Sequence, residues 1–318
     1  MTRFLIRRAG LGLITLWLLS VGVFLGAQVL PGNPARAILG QDAAPAAVAQ
    51  LNSQLGYDRP LLERYFDWLG GVLTGDFGTS YLYQSSAGDL IATALGNSLK
   101  LGLFAVVLIV PLSLAGGVFA ALHRGRFADK AITFGGMVVS VLPEFVTGIV
   151  LLLVLGIWWP VLPITATAPA GAGPLEELKY LVLPALALMA GLFGYIARVA
   201  RAGTIEVLDA DSTRTATVKG LPRRQVIRRH VLRNALLPSI TVTATQIGYM
   251  VGGLVVIERL FNYQGLGLLI FNAAQRKDFP LLQGAVLIVG ALYIVLTLLA
   301  DVVQAVVNPR VRAQVTGR

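Results

Sequence analysis

The chain has 318 residues, of which 56% are hydrophobic and 13% charged, and its formal net charge is +10. Soluble domains carry roughly 25% charged residues, so this composition is typical of a multi-span helical membrane protein rather than of a water-soluble fold. Cysteine is absent and the only histidines are His123 and His230, which excludes disulfides, a cysteine nucleophile and a histidine-rich metal cluster.

Six segments are long and apolar enough to cross a bilayer as helices, which takes about 20 residues each. They lie at residues 9–30, 98–122, 131–159, 181–200, 240–257 and 282–307. The first segment is too long for the apolar core of a signal peptide, so we expect it to remain as a signal-anchor helix. The sequence therefore predicts an all-α integral membrane protein with six transmembrane helices in a single domain over residues 1–318.

Lysine and arginine are unevenly distributed between the connecting segments. They concentrate near the N-terminus, after the second span, in residues 198–233 and in the C-terminal tail. Because cytoplasmic loops of membrane proteins are the more positive ones, both termini and the 198–233 segment are predicted to be cytoplasmic, in agreement with an even number of spans. A nucleic-acid-binding protein would instead carry its basic stripe on a soluble domain.

Residues 31–97, between the first two spans, are predicted to form a small extracytoplasmic subdomain. Acidic and aromatic residues alternate through this insertion, which contains the sequences PGNP, LGYDRP and TGDFGTSY. Residues 61–73 are its best helix candidate, since Leu62, Tyr65, Phe66 and Leu69 fall on one helical face.

A carboxylate occurs in the middle of the predicted third span, where Glu144 follows Pro143. An ionisable group inside the membrane is costly and is therefore a functional candidate. Two interpretations stay open at this point: a pore-facing group that attracts a cationic part of a substrate, or a carboxylate that is paired or kept neutral by its surroundings.

Residues 202–238 form a polar, basic loop between the fourth and fifth spans. Residues 202–219 have helical spacing, Gly220 is placed to end that helix, and Pro222 is placed to start the next one. The second helix interleaves apolar residues with arginines and is predicted to end at Pro238. This helix–glycine–helix elbow either fits a groove on a partner or lies as a basic amphipathic helix on anionic lipid headgroups.

The fifth and sixth spans contribute further candidates. Glu258, Arg259 and Phe261 lie at the outer end of the fifth span, where they form either part of an external gate or ordinary interface residues. Asp301, in the last turns of the sixth span, is interpreted as structural.

Motifs along the whole chain match one transporter family. Residues 215–221 read TATVKGL and residues 230–238 read HVLRNALLP, similar to the family patterns T-A-R-A-K-G-L and H-x-x-R-N-x-x-x-P. Further matches are RR with PGNP at the first span, the 55–81 segment, LVLPALAL, GGLVVIERLFNYQGLG and DVVQAVVNPRVR. The chain thus resembles permeases of ABC importers in the dipeptide, oligopeptide and nickel branch, and within it the first of the two permease subunits.

The match has departures. In the wider family this loop is called the EAA loop, and the glutamate of that name is absent here. Thr217 and Val218 stand in place of the usual Arg and Ala, and Asn308 replaces a usual Asp. The substitutions at Thr217 and Val218 bear on contacts with the partner that the loop would touch.

The resemblance implies a type I ABC importer permease in the inner, cytoplasmic membrane. Its partners would be a second homologous permease, two ATP-binding subunits or domains, an extracytoplasmic substrate-binding protein and membrane lipid. The residues implied for coupling to the ATPase are Thr215, Ala216, Lys219, Gly220, Leu221 and Arg224. Glu144 and Pro143 would lie on the substrate path, and Glu258, Arg259 and Phe261 at an outer gate.

The same resemblance gives the extracytoplasmic insertion two possible roles, docking of the binding protein or a folded cap over the pore. The docking candidates are Asp58, Asp67, Asp76 and Tyr81. The chain has no G-x-x-x-x-G-K-[ST] phosphate loop, so ATP and magnesium are expected on partner subunits, and this chain is expected to be neither an enzyme nor a cofactor-binding protein.

The expected cargo is a short peptide, with nickel chelates, glutathione and oligosaccharides as alternatives for the same type of importer. An ion-coupled secondary transporter would need charges inside several spans and an inverted repeat, whereas only Glu144 is centrally placed. An integral-membrane enzyme would need a cluster of catalytic or metal-binding groups, and the positions of the histidines and the absence of cysteine do not supply one.

Overall fold

The computed structural model describes residues 2–29, 33–40, 42–169 and 171–307, which are almost entirely helical. Within these ranges the only extended pairing is an isolated bridge between Thr79 and Ser86. The helices before the basic loop are α1 (Thr2–Val29), α2 (Pro34–Leu39), α3 (Pro45–Gln54), α4 (Leu61–Thr74), α5 (Ala87–Leu122), α6 (Phe127–Val141), α7 (Glu144–Leu151) and α8 (Pro174–Asp209). The later ones are α9 (Asp211–Val218), α10 (Arg223–Val226), α11 (Leu232–Ala235), α12 (Leu237–Leu260), α13 (Leu266–Arg276) and α14 (Phe279–Val307).

Five of these helices are long and apolar enough to cross a membrane: α1, α5, α8, α12 and α14. The pair α6 and α7 is a sixth candidate if a bent pair counts as one span. The all-α membrane class predicted from the sequence is therefore confirmed. Helices α5 and α8 have 36 residues each. That length corresponds to about 54 Å, well beyond a hydrocarbon core of about 30 Å, so both extend past the apolar layer.

The third span is bent, and the expectation of a continuous helix over residues 131–159 was wrong. Helix α6 ends at Val141, α7 starts at Glu144, and the two axes differ by 111°. Leu142 has an extended backbone, with φ −72° and ψ 136°. The cause is Pro143, which has no N–H to continue the helix and disfavours the helical conformation of the residue before it. Helix α7 continues as a π-helical segment, Leu152–Trp158.

The chain divides into two compact units, one of which comprises residues 100–263 with the end of α14. Helix α8 is the centre of this unit: residues such as Leu183, Leu188 and Ile196 are fully buried in a cluster with Leu101 and Ile257. Close approach of the helices depends on glycine, because a Cβ on Gly194 would overlap the backbone of α6 at Gly136. Likewise, Gly117 of α5 lies against the backbone of α8.

The second unit comprises residues 6–99 and 264–294. Its core joins the start of α5 to α13 and the start of α14, through residues such as Ile91, Leu266 and Leu281. Helix α4 begins at Leu61, where the sequence predicted a helix, and Tyr65 shares a hydrogen bond of 2.9 Å with Ser20 of α1. Helix α13 was not anticipated, and it ends at Lys277 in a left-handed conformation.

Candidate functional site

The basic loop folds into an elbow, but its first helix differs from the prediction. Helix α8 runs on to Asp209, the backbone extends at Ala210 with φ −70° and ψ 147°, and α9 then begins at Asp211. Residues 202–219 are therefore two helices, and the first part of that stretch belongs to the long helix of the fourth span. The elbow is thus built on an extension of α8.

The tip of the elbow is a left-handed turn. Lys219 caps α9, Gly220 has φ +79°, and Pro222 precedes α10. Residues with a Cβ rarely adopt such a φ, which explains glycine at this position. Of the six predicted coupling residues, Thr215, Lys219, Gly220 and Arg224 are exposed. A partner can therefore reach them directly.

The other two predicted coupling residues belong to the interior of the elbow. Ala216 is buried together with Val226, Val231 and Ala235, and Leu221 packs on this small cluster. These two side chains hold α9 against the second arm of the elbow. They would influence a partner only through the shape of the tip.

The second arm of the elbow is not one regular helix. A π-helical segment, Ile227–Val231, separates α10 from α11. Pro238 was predicted to end this arm, but it lies in the first turn of α12, where the missing N–H costs no hydrogen bond. At its far end the arm touches α8, because the carbonyl of Ala235 lies where a Cβ on Gly203 would be.

A buried ion pair joins the start of α6 to α8, a short distance in sequence before the elbow. Asp129 is only 3% exposed and accepts two hydrogen bonds from the guanidinium of Arg201, with Nε at 2.5 Å and Nη2 at 2.8 Å. The backbone N–H of Gly125 donates to the same carboxylate at 2.9 Å. Such bidentate, charge-assisted geometry fixes two helices relative to each other.

Glu144 lies in a notch between two other helices. Its carboxylate is next to Gly253 of α12, where a Cβ would overlap it, and next to Gly191 of α8. The side chain is half-buried, and no salt bridge to it occurs among the described residues. The absence of a side chain at Gly253 of α12 therefore leaves space for the carboxylate of Glu144, whereas Gly252 faces open space.

The three predicted gate residues divide into two groups. Glu258 is 0% exposed and Phe261 is 1% exposed, while Arg259 is exposed. Phe261 belongs to the main apolar cluster, and its carbonyl accepts a hydrogen bond of 3.0 Å from the N–H of Ala166. Glu258 and Phe261 are thus part of the packed end of α12, and Arg259 alone of the three is accessible.

The four predicted docking residues lie in the insertion between α1 and α5. Asp58, Asp67 and Asp76 are exposed, and Tyr81 is half-buried. Asp67 is paired with Arg59 at 2.6 Å, and Asp76 accepts the N–H of Gly78 at 2.8 Å. Tyr81 and Tyr57 line the same cavity in this insertion.

Comparison with known proteins adds the family. Residues 113–313 match the family described as the binding-protein-dependent transport system inner membrane component, and residues 1–102 match the N-terminal region described for the same kind of membrane component. The chain belongs to this family. It is a permease component of an ABC importer, in the branch that includes the peptide and nickel permeases.

The permease is also similar to curated relatives over nearly its whole length. It is 34% identical over 317 residues to the glutathione transport system permease protein GsiC of Escherichia coli (strain K12), a match that covers 98% of this chain and 99% of the relative. The proteins of the same name from Escherichia coli O1:K1 / APEC and Shigella dysenteriae serotype 1 (strain Sd197) match with the same identity and coverage. The family is the membrane component of these importers and not the ATPase.

Sequence reasoning missed several residues that build the site. Asp129 and Arg201 lie at the ends of predicted spans and look like ordinary interface charges. They are 72 residues apart in the sequence, and only the 2.5 Å distance between their side chains in the structure identifies them as a pair. Gly191 and Gly253, which form the notch for Glu144, have no signal beyond being glycines within apolar segments. In the permease these contacts join α6, α7, α8 and α12.

Proposed function

We propose that the permease is the first of the two membrane subunits of an ATP-driven importer of short peptides. The observation that supports this best is the exposed elbow tip at Lys219 and Gly220, mounted on the extension of α8. An isolated basic helix on a lipid surface would not need a left-handed turn and an apolar core of its own. The elbow has both.

The complex would contain this chain, a second homologous permease, two ATP-binding subunits or domains and an extracytoplasmic substrate-binding protein. The excess of lysine and arginine in the elbow and near the N-terminus supports placing both on the cytoplasmic side of the inner membrane. The insertion (residues 31–97) would then face the binding protein, with Asp58, Asp67, Asp76 and Tyr81 as the docking residues. ATP and magnesium would be bound by the ATPase subunits.

The elbow would transmit closure of the ATPase dimer to the membrane helices. Lys219, Gly220, Thr215 and Arg224 would contact the ATPase, while Ala216 and Leu221 keep the tip rigid. A push on the tip reaches α8 directly, because α8 and α9 are separated by Ala210 alone. Through the ion pair of Asp129 and Arg201 the motion also reaches the bent third span, and Glu144 with Pro143 would line the path that opens alternately to each side.

A short peptide is the cargo that the similar permeases favour. The similar permeases named above belong to glutathione transport systems, and glutathione is a tripeptide, which agrees with a permease for short peptides. A nickel chelate or an oligosaccharide remains an alternative cargo of the same importer type. An ion-coupled transporter is the less favoured alternative, because Glu144 is the central carboxylate of the spans and it occupies a packed notch.

The test is co-purification of the tagged permease from its native membrane in mild detergent, beside a Lys219→Glu variant. We expect the wild type to bring down a second permease and the ATPase chains, and the variant to keep the second permease but lose the ATPases. Lys130→Glu is the matched control, since Lys130 is an exposed lysine outside the elbow and the change in charge is the same.

Uptake by cells that express the whole importer tests the cargo. Radiolabelled trialanine, glutathione and a nickel chelate would be supplied in parallel. We expect uptake of trialanine and glutathione that disappears with Lys219→Glu. Recovery of the permease alone, or uptake that continues with the ATPase subunits inactivated, would contradict the importer function.

A further inference from the structure

The insertion encloses a cavity of about 290 Å³ that the coupling mechanism does not use. It lies in the second unit, between α4, the 75–81 loop and the ends of α1 and α14 that belong to that unit. Its lining combines aromatic rings with charged groups: Tyr57, Trp68, Phe77, Tyr81, Arg64 and Asp76. Pockets for small ligands start at about 300 Å³, so the volume suits an amino acid or a short peptide.

The two arginines of this cavity differ in how their charge is balanced. Arg59 is paired with Asp67 at 2.6 Å and with Glu63 at 3.5 Å. Arg64 has no carboxylate within salt-bridge distance among the residues that the structure describes, and its guanidinium stacks on the ring of Tyr57, 4.1 Å from the ring centre. A guanidinium that lies over an aromatic face can still present an N–H edge to a carboxylate in bidentate geometry.

The neighbouring polar groups are hydrogen-bond donors. The Nε1–H of Trp68 is buried without a hydrogen-bond partner in the described part of the chain, although it is a donor and nothing else. Burial raises the pKa of Tyr57 and of Tyr81, so both phenols stay protonated at physiological pH. The interior of the cavity therefore offers a fixed cation and donors to an anionic group.

We propose that this cavity binds the carboxylate end of a small zwitterion, an amino acid or a short peptide, with Arg64 as the ligand of the carboxylate. The ammonium group of the zwitterion meets Asp76, whose exposed carboxylate lies at the cavity and is held by the N–H of Gly78. The aromatic rings of the lining, Trp68 among them, contact the aliphatic part of the zwitterion. The inference rests on the proposed function in one respect only, which is the side of the membrane that the insertion faces.

The balance of charges favours a zwitterion over inorganic phosphate. Phosphate would bring a charge of about −2 close to Asp67 and Asp76 and would be repelled by them. A zwitterion brings a negative end to Arg64 and a positive end to Asp76, so both acidic and basic lining groups are satisfied. Arg64 and Asp76 then each have a role that the docking of a binding protein alone does not require.

The experiment measures binding of radiolabelled dialanine to the purified permease in nanodiscs, with its partner subunits where they co-purify and without the substrate-binding protein. We expect Arg64→Gln to weaken dialanine binding at least tenfold, and Arg64→Lys to weaken it less, because lysine keeps the charge but not the bidentate geometry. Arg36→Gln is the matched control, an exposed arginine of the same unit that is not part of the cavity.

Competitors identify the chemistry of the ligand. Alanine, dialanine and glutathione compete if the site accepts any small zwitterion, whereas dialanine amide, acetate and phosphate should compete at least tenfold more weakly. Fluorescence changes on adding dialanine should vanish in Trp68→Phe and persist in Trp158→Phe. Equal binding by the wild type and Arg64→Gln complexes, or equal competition by dialanine amide, would overturn the proposal. Neither result depends on uptake or on ATPase recovery, so failure of this site and failure of the importer function are distinguishable.

Discussion

Gly253 of α12 and Glu144 of α7 together determine the contact where the third span bends. Pro143 interrupts the helix and brings Glu144 to the first turn of α7, and Gly253 provides the space that the carboxylate occupies. Half-burial of a carboxylate between helices is costly, so this arrangement is more demanding than a simple apolar contact. A small change on either partner should therefore have a measurable effect.

We predict that Gly253→Ala destabilises the permease by about 1–3 kcal/mol, as expected for an added methyl group in a packed contact. The methyl group would overlap the carboxylate of Glu144, which has to leave the notch. The measurements are the thermal unfolding midpoint of the purified complex and the rate of substrate uptake, both of which should fall.

Gly252→Ala is the control for this prediction, because nothing lies within 4 Å of a Cβ at that position. It should leave the unfolding midpoint unchanged or slightly raised, since alanine is the better helix former. Equal effects of the two substitutions would show that the Glu144 notch is not what limits stability.

At the scale of secondary-structure elements, the elbow and the third span both contact helix α8. The elbow touches α8 at Gly203, and the start of α6 is fixed to α8 by the ion pair of Asp129 and Arg201. A second, exposed pair joins Arg124 to Asp209 at 3.1 Å. The buried pair joins α6 to α8, and the exposed pair joins the turn before α6 to the end of α8, so the two pairs can be compared directly.

We predict that Asp129→Asn costs about 3 kcal/mol of stability, the lower end of the range for breaking a buried ion pair, because Arg201 is left without its counter-charge. The side chain of Arg201 is 26% exposed and that of Asp129 only 5% exposed, so solvent screens the pair weakly. Uptake should fall more than ATP hydrolysis, because the elbow stays intact while its link to α6 is lost. Both rates would be measured in proteoliposomes.

Arg124→Gln serves as the comparison, since its pair with Asp209 has side chains that are 62% and 65% exposed. Exposed pairs contribute about 0–1 kcal/mol, so uptake and the unfolding midpoint should hardly change. If Arg124→Gln were as harmful as Asp129→Asn, the special role of the buried pair would be disproved.

At the scale of the whole molecule, the predicted topology places the elbow and the insertion on opposite sides of the membrane. The natural chain contains no cysteine, so single cysteines report accessibility without a background of other thiols. We predict that a cysteine in place of Asp76 reacts with a membrane-impermeant maleimide in intact spheroplasts. A cysteine in place of Lys219 should react only after the membrane is opened.

Both positions are exposed, so burial within the chain does not limit their labelling. Labelling of both cysteines in intact spheroplasts would contradict the predicted orientation. Labelling of Lys219→Cys alone would reverse it, and with it the placement of the coupling and docking surfaces.

Much of the architecture could be read from local patterns. Apolar segments of sufficient length gave the spans, and the Gly220–Leu221–Pro222 sequence located the tip of the elbow. Helix α4 was found from its apolar face. These features depend on residues that are neighbours in sequence, where backbone preferences and helical periodicity act directly.

Some predicted helix boundaries were wrong because a proline can have more than one effect on a helix. Pro143 broke the third span by more than 90°, whereas Pro111 and Pro184 are accommodated inside α5 and α8. Pro238 started a helix where it was expected to end one. Which outcome occurs depends on whether neighbouring helices can satisfy the backbone, and that is decided by packing.

The sequence by itself determined the membrane class, the family and the existence of an elbow, because composition, hydropathy and short motifs are properties of contiguous residues. Only the tertiary structure decided that Glu144 fills a notch at Gly253, that Asp129 pairs with Arg201, and that Arg64 keeps an unbalanced charge beside Tyr57. Each of these depends on which distant residues approach one another and on how water is excluded between them. No periodicity along the chain encodes that information.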